Sequence, residues 1–212
     1  MILTAILGFR FKFFELQELY LPLLEKQPYM FRLLSSFVFF RIMGWRIEGH
    51  YPKEIPKFVI AVAPHTSSWD FPIGLMVRSI LRDPYIRFVG KESLFRPPFG
   101  GIFRWLGGYP VDRSKRTNYV DSIIDIFRKE PIFHLTLAPE GTRKKAERIK
   151  TGFYYIAVGA KVPIVPIQFD FGTKCVRIAD PFYPGENAES DLEKLTDYWR
   201  GIRGFHADQG IS

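Results

Sequence analysis

An imidazole and a carboxylate stand five residues apart, at His65 and Asp70, within Pro64-His65-Thr66-Ser67-Ser68-Trp69-Asp70. A continuous helix does not put them on one face, because only spacings of three and four do that. A strand, a turn and a helix can. The run Phe58 to Ala63 that leads in is apolar, and Phe71 to Leu81 that leads out has helical spacing. His65 then lies in the turn and Asp70 points back at it from the first helical turn. Ser67 is placed as the helix cap, with Ser67-x-x-Asp70 as a capping box carrying Asp for Glu. An Asp that accepts a proton from one ring nitrogen fixes the tautomer and leaves the other nitrogen as a base. If the substrate brings its own hydroxyl, no Ser or Cys nucleophile is needed, and general-base assistance is worth roughly 10²–10⁴-fold. The plainer reading of the same residues is an Asp that caps a helix and a His that fills a turn.

The elements that must hold this turn alternate between strand and helix. Tyr85 to Gly90 reads as a strand followed by Lys91, and Phe99 to Trp105 as a short helix. Tyr109 to Arg113 is extended, and Pro110 makes it an edge strand or a loop. Asn118 to Arg128 is an amphipathic helix with Val120, Ile123, Ile124 and Phe127 on one face. Ile132 to Ala138 is a buried strand that ends at Pro139-Glu140-Gly141-Thr142-Arg143. A helix over 152–159, strands over 162–169 and 175–178, and a helix over 188–202 complete the pattern. The expected fold is α/β, a mixed, largely parallel sheet flanked by helices. In open sheets of this kind ligands sit beyond the carboxyl ends of strands, where His65 falls.

Residues 1–46 differ from the rest and read as an amphipathic helix pair, roughly 2–26 and 29–44, ahead of a domain over 47–212. Phe and Leu recur there among Arg10, Lys12, Lys26, Arg32 and Arg41. The longest uncharged run in this segment is about nine residues, well short of the ~18–20 that a membrane span needs. Arg10 and Lys12 also interrupt any signal-peptide core. Apolar faces with snorkelling cations suit helices lying in a membrane interface, and a helical hairpin packed on the domain is the alternative. Arg46 to Lys57 reads as a turn-rich link.

The net charge of +8 suits an anionic partner, whether acidic lipid, phosphorylated small molecule or nucleic acid. No nucleic-acid-binding fold or recognition helix is recognisable, so nucleic acid is not an expected partner. The single cysteine, Cys175, excludes an intrachain disulfide, and the four histidines have no metal-ligand spacing, so no metal is expected.

Four signals in order resemble the glycerolipid acyltransferase family, the bacterial lysophosphatidic-acid acyltransferases in particular. They are His65-x4-Asp70, Gly107-Gly108-Tyr109-Pro110-Val111-Asp112-Arg113, Glu140-Gly141-Thr142-Arg143 and Val162-Pro163-Ile164-Val165-Pro166-Ile167. Lys91 falls where the family tends to carry a lysine. Pro110 stands where a bulky apolar residue is usual, and Ala138 where an aromatic is common. The resemblance spans roughly residues 58–170 and implies acyl transfer from acyl-CoA or acyl-carrier protein as co-substrate, with no other cofactor and no acyl-enzyme. It implies that His65 is the general base and Asp70 its orienting partner. It assigns acceptor binding to Arg113 and to Glu140, Gly141, Thr142 and Arg143, with the two arginines on a phosphate and Lys91 a further phosphate ligand. Guanidinium forks suit phosphate chemically, but they would take a carboxylate equally well. The acceptor is therefore 1-acylglycerol-3-phosphate or another lyso-lipid such as an acylated amino acid. A non-catalytic module that binds anionic lipid is the reading from a different class. The expected setting is peripheral or monotopic on the cytoplasmic face of a membrane.

Overall fold

The computed structural model describes residues 29–111, 119–141, 149–206 and 209. Its strands are β1 (Arg46–Glu48), β2 (Lys57–Ala63), β3 (Ile86–Lys91), β4 (Gly108–Val111), β5 (Phe133–Leu137), β6 (Ile164–Asp170) and β7 (Cys175–Ile178). They form one sheet in the order β1-β7-β6-β2-β5-β3-β4. Five adjacent strands, β6 to β4 in that order, run parallel; β7 is antiparallel to β6, and β1 runs with β7. The expected mixed, largely parallel sheet is borne out. Pro110 sits in β4, the strand at the sheet edge, where a missing backbone donor costs no ladder bond on the outer side.

The helices are α1 (Tyr29–Ser36), α2 (Asp70–Leu81), α3 (Gly100–Trp105), α4 (Tyr119–Lys129), α5 (Gly152–Ala160) and α6 (Ala188–Trp199). Alternation along β2 explains the two layers. Val59, Ala61 and Ala63 face a core with Ile123 and Phe127 of α4, Ile156 of α5 and Trp199 of α6. Phe58 and Ile60 face a second core with Ile73 and Val77 of α2, together with Phe39 and Trp45. A central strand buried on both faces reads as one unbroken apolar run, which is why this one was legible.

Two local readings are corrected. The helix read over 29–44 is α1 followed by wider, π-type turns over Phe37–Ile42, which swing Phe39 to complete burial. Burying such a ring is worth roughly 1.5–3 kcal/mol, so Phe39 and Trp45 tether this segment while α1 leaves Tyr29, Met30, Leu33 and Leu34 exposed. Residues 46–48, read as a link, form β1 on the outer edge of the sheet. Three residues carry too little alternation to announce a strand; Glu48 is held there by Arg46 and by Arg177 of β7, at 2.6 and 3.1 Å. The helix read over 2–26 lies outside the described residues.

Candidate active site

The turn after β2 begins with a cis Ala63–Pro64 peptide and then presents His65. The ring Nδ1 lies 2.8 Å from Asp70 Oδ2. An ionised carboxylate only accepts, so Nδ1 carries the proton and Nε2 keeps its lone pair. The His65 side chain is 27% exposed and that of Asp70 only 4%, so the carboxylate is buried behind a ring that solvent still reaches. Asp70 Oδ2 also accepts the backbone N–H of Ser67 at 3.0 Å, the returning half of the expected capping box. The helix itself starts at Asp70 with Trp69 at its N-cap, so Ser67 is not the helix cap that was expected; the Ser67 hydroxyl instead accepts the N–H of Trp69 at 3.2 Å within the turn. A carboxylate in the first turn of α2 also gains from the helix dipole. Asp70 Oδ1 is buried with no hydrogen-bond partner.

Two further groups fix this turn. Glu140 follows β5, the neighbour of β2, and its Oε2 accepts the backbone N–H of His65 at 2.8 Å. Glu140 is 1% exposed, and its Oε1 has no hydrogen-bond partner. Burial pushes the Glu140 carboxyl above its usual range; nearby Asp70 adds to the rise, and the amide and ring of His65 oppose it. The second comes from residues 204–206. Buried Thr66 accepts the N–H of His206 on Oγ1 at 3.3 Å, and Gly204 backs onto the same side chain. A Cβ on Gly204 would stand 2.5 Å from Thr66 Oγ1 and 2.6 Å from Cγ2, closer than atoms can sit. The segment is held there by the N–H of Phe171 on the Arg203 carbonyl at 2.8 Å.

Of the residues expected at the site, the structure brings His65, Asp70 and Glu140 together. Gly141 is the next residue of the same turn, at φ +62, a conformation that favours glycine. Lys91 ends β3 at the same carboxyl edge of the sheet, exposed and in register with Val111. Arg113, Thr142 and Arg143 lie outside the described residues, although the strands that precede them, β4 and β5, both end at this edge. The Glu140–His65 contact was not foreseen: the resemblance assigns Glu140 to acceptor binding, not to the turn that carries the base. The Thr66 support left no local signal at all. No cluster of three or more metal-binding side chains occurs among the described residues.

A second buried His–carboxylate pair shows by contrast what makes the first one available. His134 donates from Nδ1 to Asp83 Oδ2 at 2.6 Å and from Nε2 to the Ile55 carbonyl at 3.1 Å. Tyr51 also donates its hydroxyl to Asp83, at 2.6 Å. Both nitrogens of His134 are taken, and the pair lies at the amino end of β5, away from the carboxyl edge. Among the described residues, no group takes the other ring nitrogen of His65.

The family model described as Acyltransferase matches residues 46–170, more than half of the chain. The chain belongs to the acyltransferase family. The acyltransferase class expected from the four motifs is thereby borne out. A relative named 1-acyl-sn-glycerol-3-phosphate acyltransferase, from Salmonella typhimurium, is 30% identical over 182 residues, 76% of this acyltransferase chain and 72% of its own length. One of the same name from Escherichia coli is 31% identical over 135 residues, 59% of this chain and 53% of its own length. This chain therefore spans about half of the second relative. The crystal structure of the 1-acyl-sn-glycerophosphate acyltransferase PlsC from Thermotoga maritima shares the fold, with a TM-score of 0.54 at 21% identity over 82% of this chain and 77% of that one.

Proposed function

We propose that the chain transfers a fatty acyl group from acyl-CoA or acyl-carrier protein to the free hydroxyl of 1-acylglycerol-3-phosphate, giving phosphatidic acid in phospholipid biosynthesis. The observation that carries the reading is the 2.8 Å contact of His65 Nδ1 with buried Asp70 at the carboxyl edge of the sheet, where no described residue takes Nε2. The names of the relatives support the acceptor. Nε2 takes the proton of the acceptor hydroxyl as its oxygen attacks the thioester carbonyl. Asp70 stabilises the imidazolium that results. The tetrahedral intermediate then expels the thiolate, which recovers the proton from His65. No acyl-enzyme forms. The hydroxyls of Thr66 and Ser67, which follow His65 in the chain, each accept a backbone N–H.

The test is release of free thiol by the purified protein with lysophosphatidic acid and either donor, alongside a panel of other lyso-lipids. His65→Ala and Asp70→Asn should each lower kcat on the order of 10²–10⁴-fold. Near-normal turnover by His65→Ala would remove the mechanism, and preference for another acceptor would remove the substrate.

The same reading puts the protein peripherally on the cytoplasmic face of a membrane, where a water-soluble thioester and a lipid acceptor meet. Support comes from an exposed apolar face. α1 offers Tyr29, Met30, Leu33 and Leu34, and Phe37 follows it; Phe99 and Ile102 belong to the α3 region. Phe31 meets Trp105 of α3 edge-on at 6.0 Å, so the two surfaces adjoin. No helix among the described residues is long and apolar enough to cross a membrane. Leu34→Glu with Phe37→Glu, both at sites 58% exposed, should weaken pelleting with anionic vesicles without unfolding the protein. Unchanged pelleting would refute this surface.

A further inference from the structure

The Glu140–Gly141 turn holds a cation that the four motifs leave without a role. Lys150 lies nine positions beyond Gly141 in sequence yet covers it in space. Its Cδ, Nζ and Cε fall 2.6, 2.8 and 2.9 Å from the point where a Cβ on Gly141 would stand. The Lys150 backbone N–H donates to the Pro139 carbonyl at 2.7 Å, and Gly141 donates to Ala138 at 3.0 Å. The stem of the lysine is therefore tied to the turn whose other arm, Glu140, holds the His65 amide. Lys150 is exposed, and among the described residues no carboxylate pairs with its ammonium. An ammonium tied to the turn whose other arm holds the His65 amide, and with no carboxylate partner among the described residues, is placed for an anion brought by the substrate.

We propose that Lys150 binds a phosphate monoester, that of the acyl acceptor, and that residue 141 is glycine so that the lysine can lie across it. The proposal rests on the reading that the acceptor carries a phosphate. Lysine serves such a ligand as a compact point charge. Orientation follows from the same contacts. An acceptor whose phosphate meets Lys150 spans from the Glu140 turn to the neighbouring His65 turn, which delivers its hydroxyl toward Nε2.

The test is steady-state kinetics of wild type, Lys150→Ala and Lys150→Arg, with lysophosphatidic acid and neutral monoacylglycerol as acceptors. Acyl-CoA and acyl-dephospho-CoA serve as donors, because the 3′-phosphate of coenzyme A is the other monoester present. Lys150→Ala should raise KM for lysophosphatidic acid roughly 10- to 100-fold, the range of a charge-assisted contact, with kcat within a few-fold. KM for monoacylglycerol and for both donors should stay unchanged, and Lys150→Arg should recover most of the loss. Gly141→Ala should also raise KM for lysophosphatidic acid, since its Cβ displaces the lysine. Equilibrium binding of the two acceptors gives the same split without turnover. A KM rise confined to acyl-CoA, or an equal loss with both acceptors, would overturn the assignment. If wild type acylates lysophosphatidic acid and Lys150→Ala does so with unchanged KM, this inference alone falls. If wild type does not acylate it, the reading of the reaction falls first and this inference with it.

Discussion

His65 and Glu140 meet through a backbone amide, and that contact makes a buried acid part of the base's geometry. Glu140→Gln keeps an acceptor for the His65 N–H and removes a carboxyl that burial has pushed upward. The sign follows from proton binding. Between the unfolded value, about 4.3, and the higher native one, the folded protein holds more protons than the unfolded chain. Stability therefore falls as pH rises through that interval. Glu140→Gln should remove this fall, seen as a flatter Tm against pH from about 4.3 upward, while Glu140→Ala should also loosen His65 and lower kcat. An unchanged profile for Glu140→Gln would count against the assignment. None of this was legible beforehand. Sequence motifs mark which residues matter at a strand end, but a contact across 75 positions depends on which strands become neighbours.

At the scale of elements, the buried His134–Asp83–Tyr51 group joins the amino end of β5 to the loop after α2 and to the segment before β2. Burial alone would raise the Asp83 carboxyl. The hydrogen bonds of His134, Tyr51 and the Tyr85 amide, with the charge of His134, hold it below its usual range instead. This group contributes stability that is present above the unfolded carboxylate value, about 3.9, and is lost as pH falls below it through the native value. Asp83→Asn should cost roughly 3–5 kcal/mol, because His134 is left buried without its partner ion, and urea titration at neutral pH reads it. It should also remove part of the acid-unfolding slope below pH ~4, whereas an unaltered acid limb would show that other carboxylates carry it. The sheet itself was far more legible than this pin. Buried parallel strands such as β2 and β6 declare themselves as apolar runs, and Pro110 announced an edge. The three-residue β1 and the π-type turns of 37–42 did not, because their reasons are tertiary: Glu48 meets Arg177, and Phe39 fills a core.

For the molecule as a whole, the two ends of the described structure have opposite tasks. The first helix turns apolar side chains outward, and the last segment turns inward onto the His65 turn. Gly204→Val should push Thr66 and lower kcat at least several-fold, while KM for either substrate changes little. Thr66→Ser should be mild, because it keeps the hydroxyl that accepts the His206 N–H. If Gly204→Val leaves kcat untouched, the segment merely rests there. That brace also has a consequence in time. A ribosome releases the His65 turn long before it reaches residues 204–206, so an emerging chain can close its sheet and still lack the piece that steadies its base. On this account the newborn protein first gains full activity when its last described stretch clears the exit tunnel, and an acyl donor meeting it earlier finds the general base not yet set.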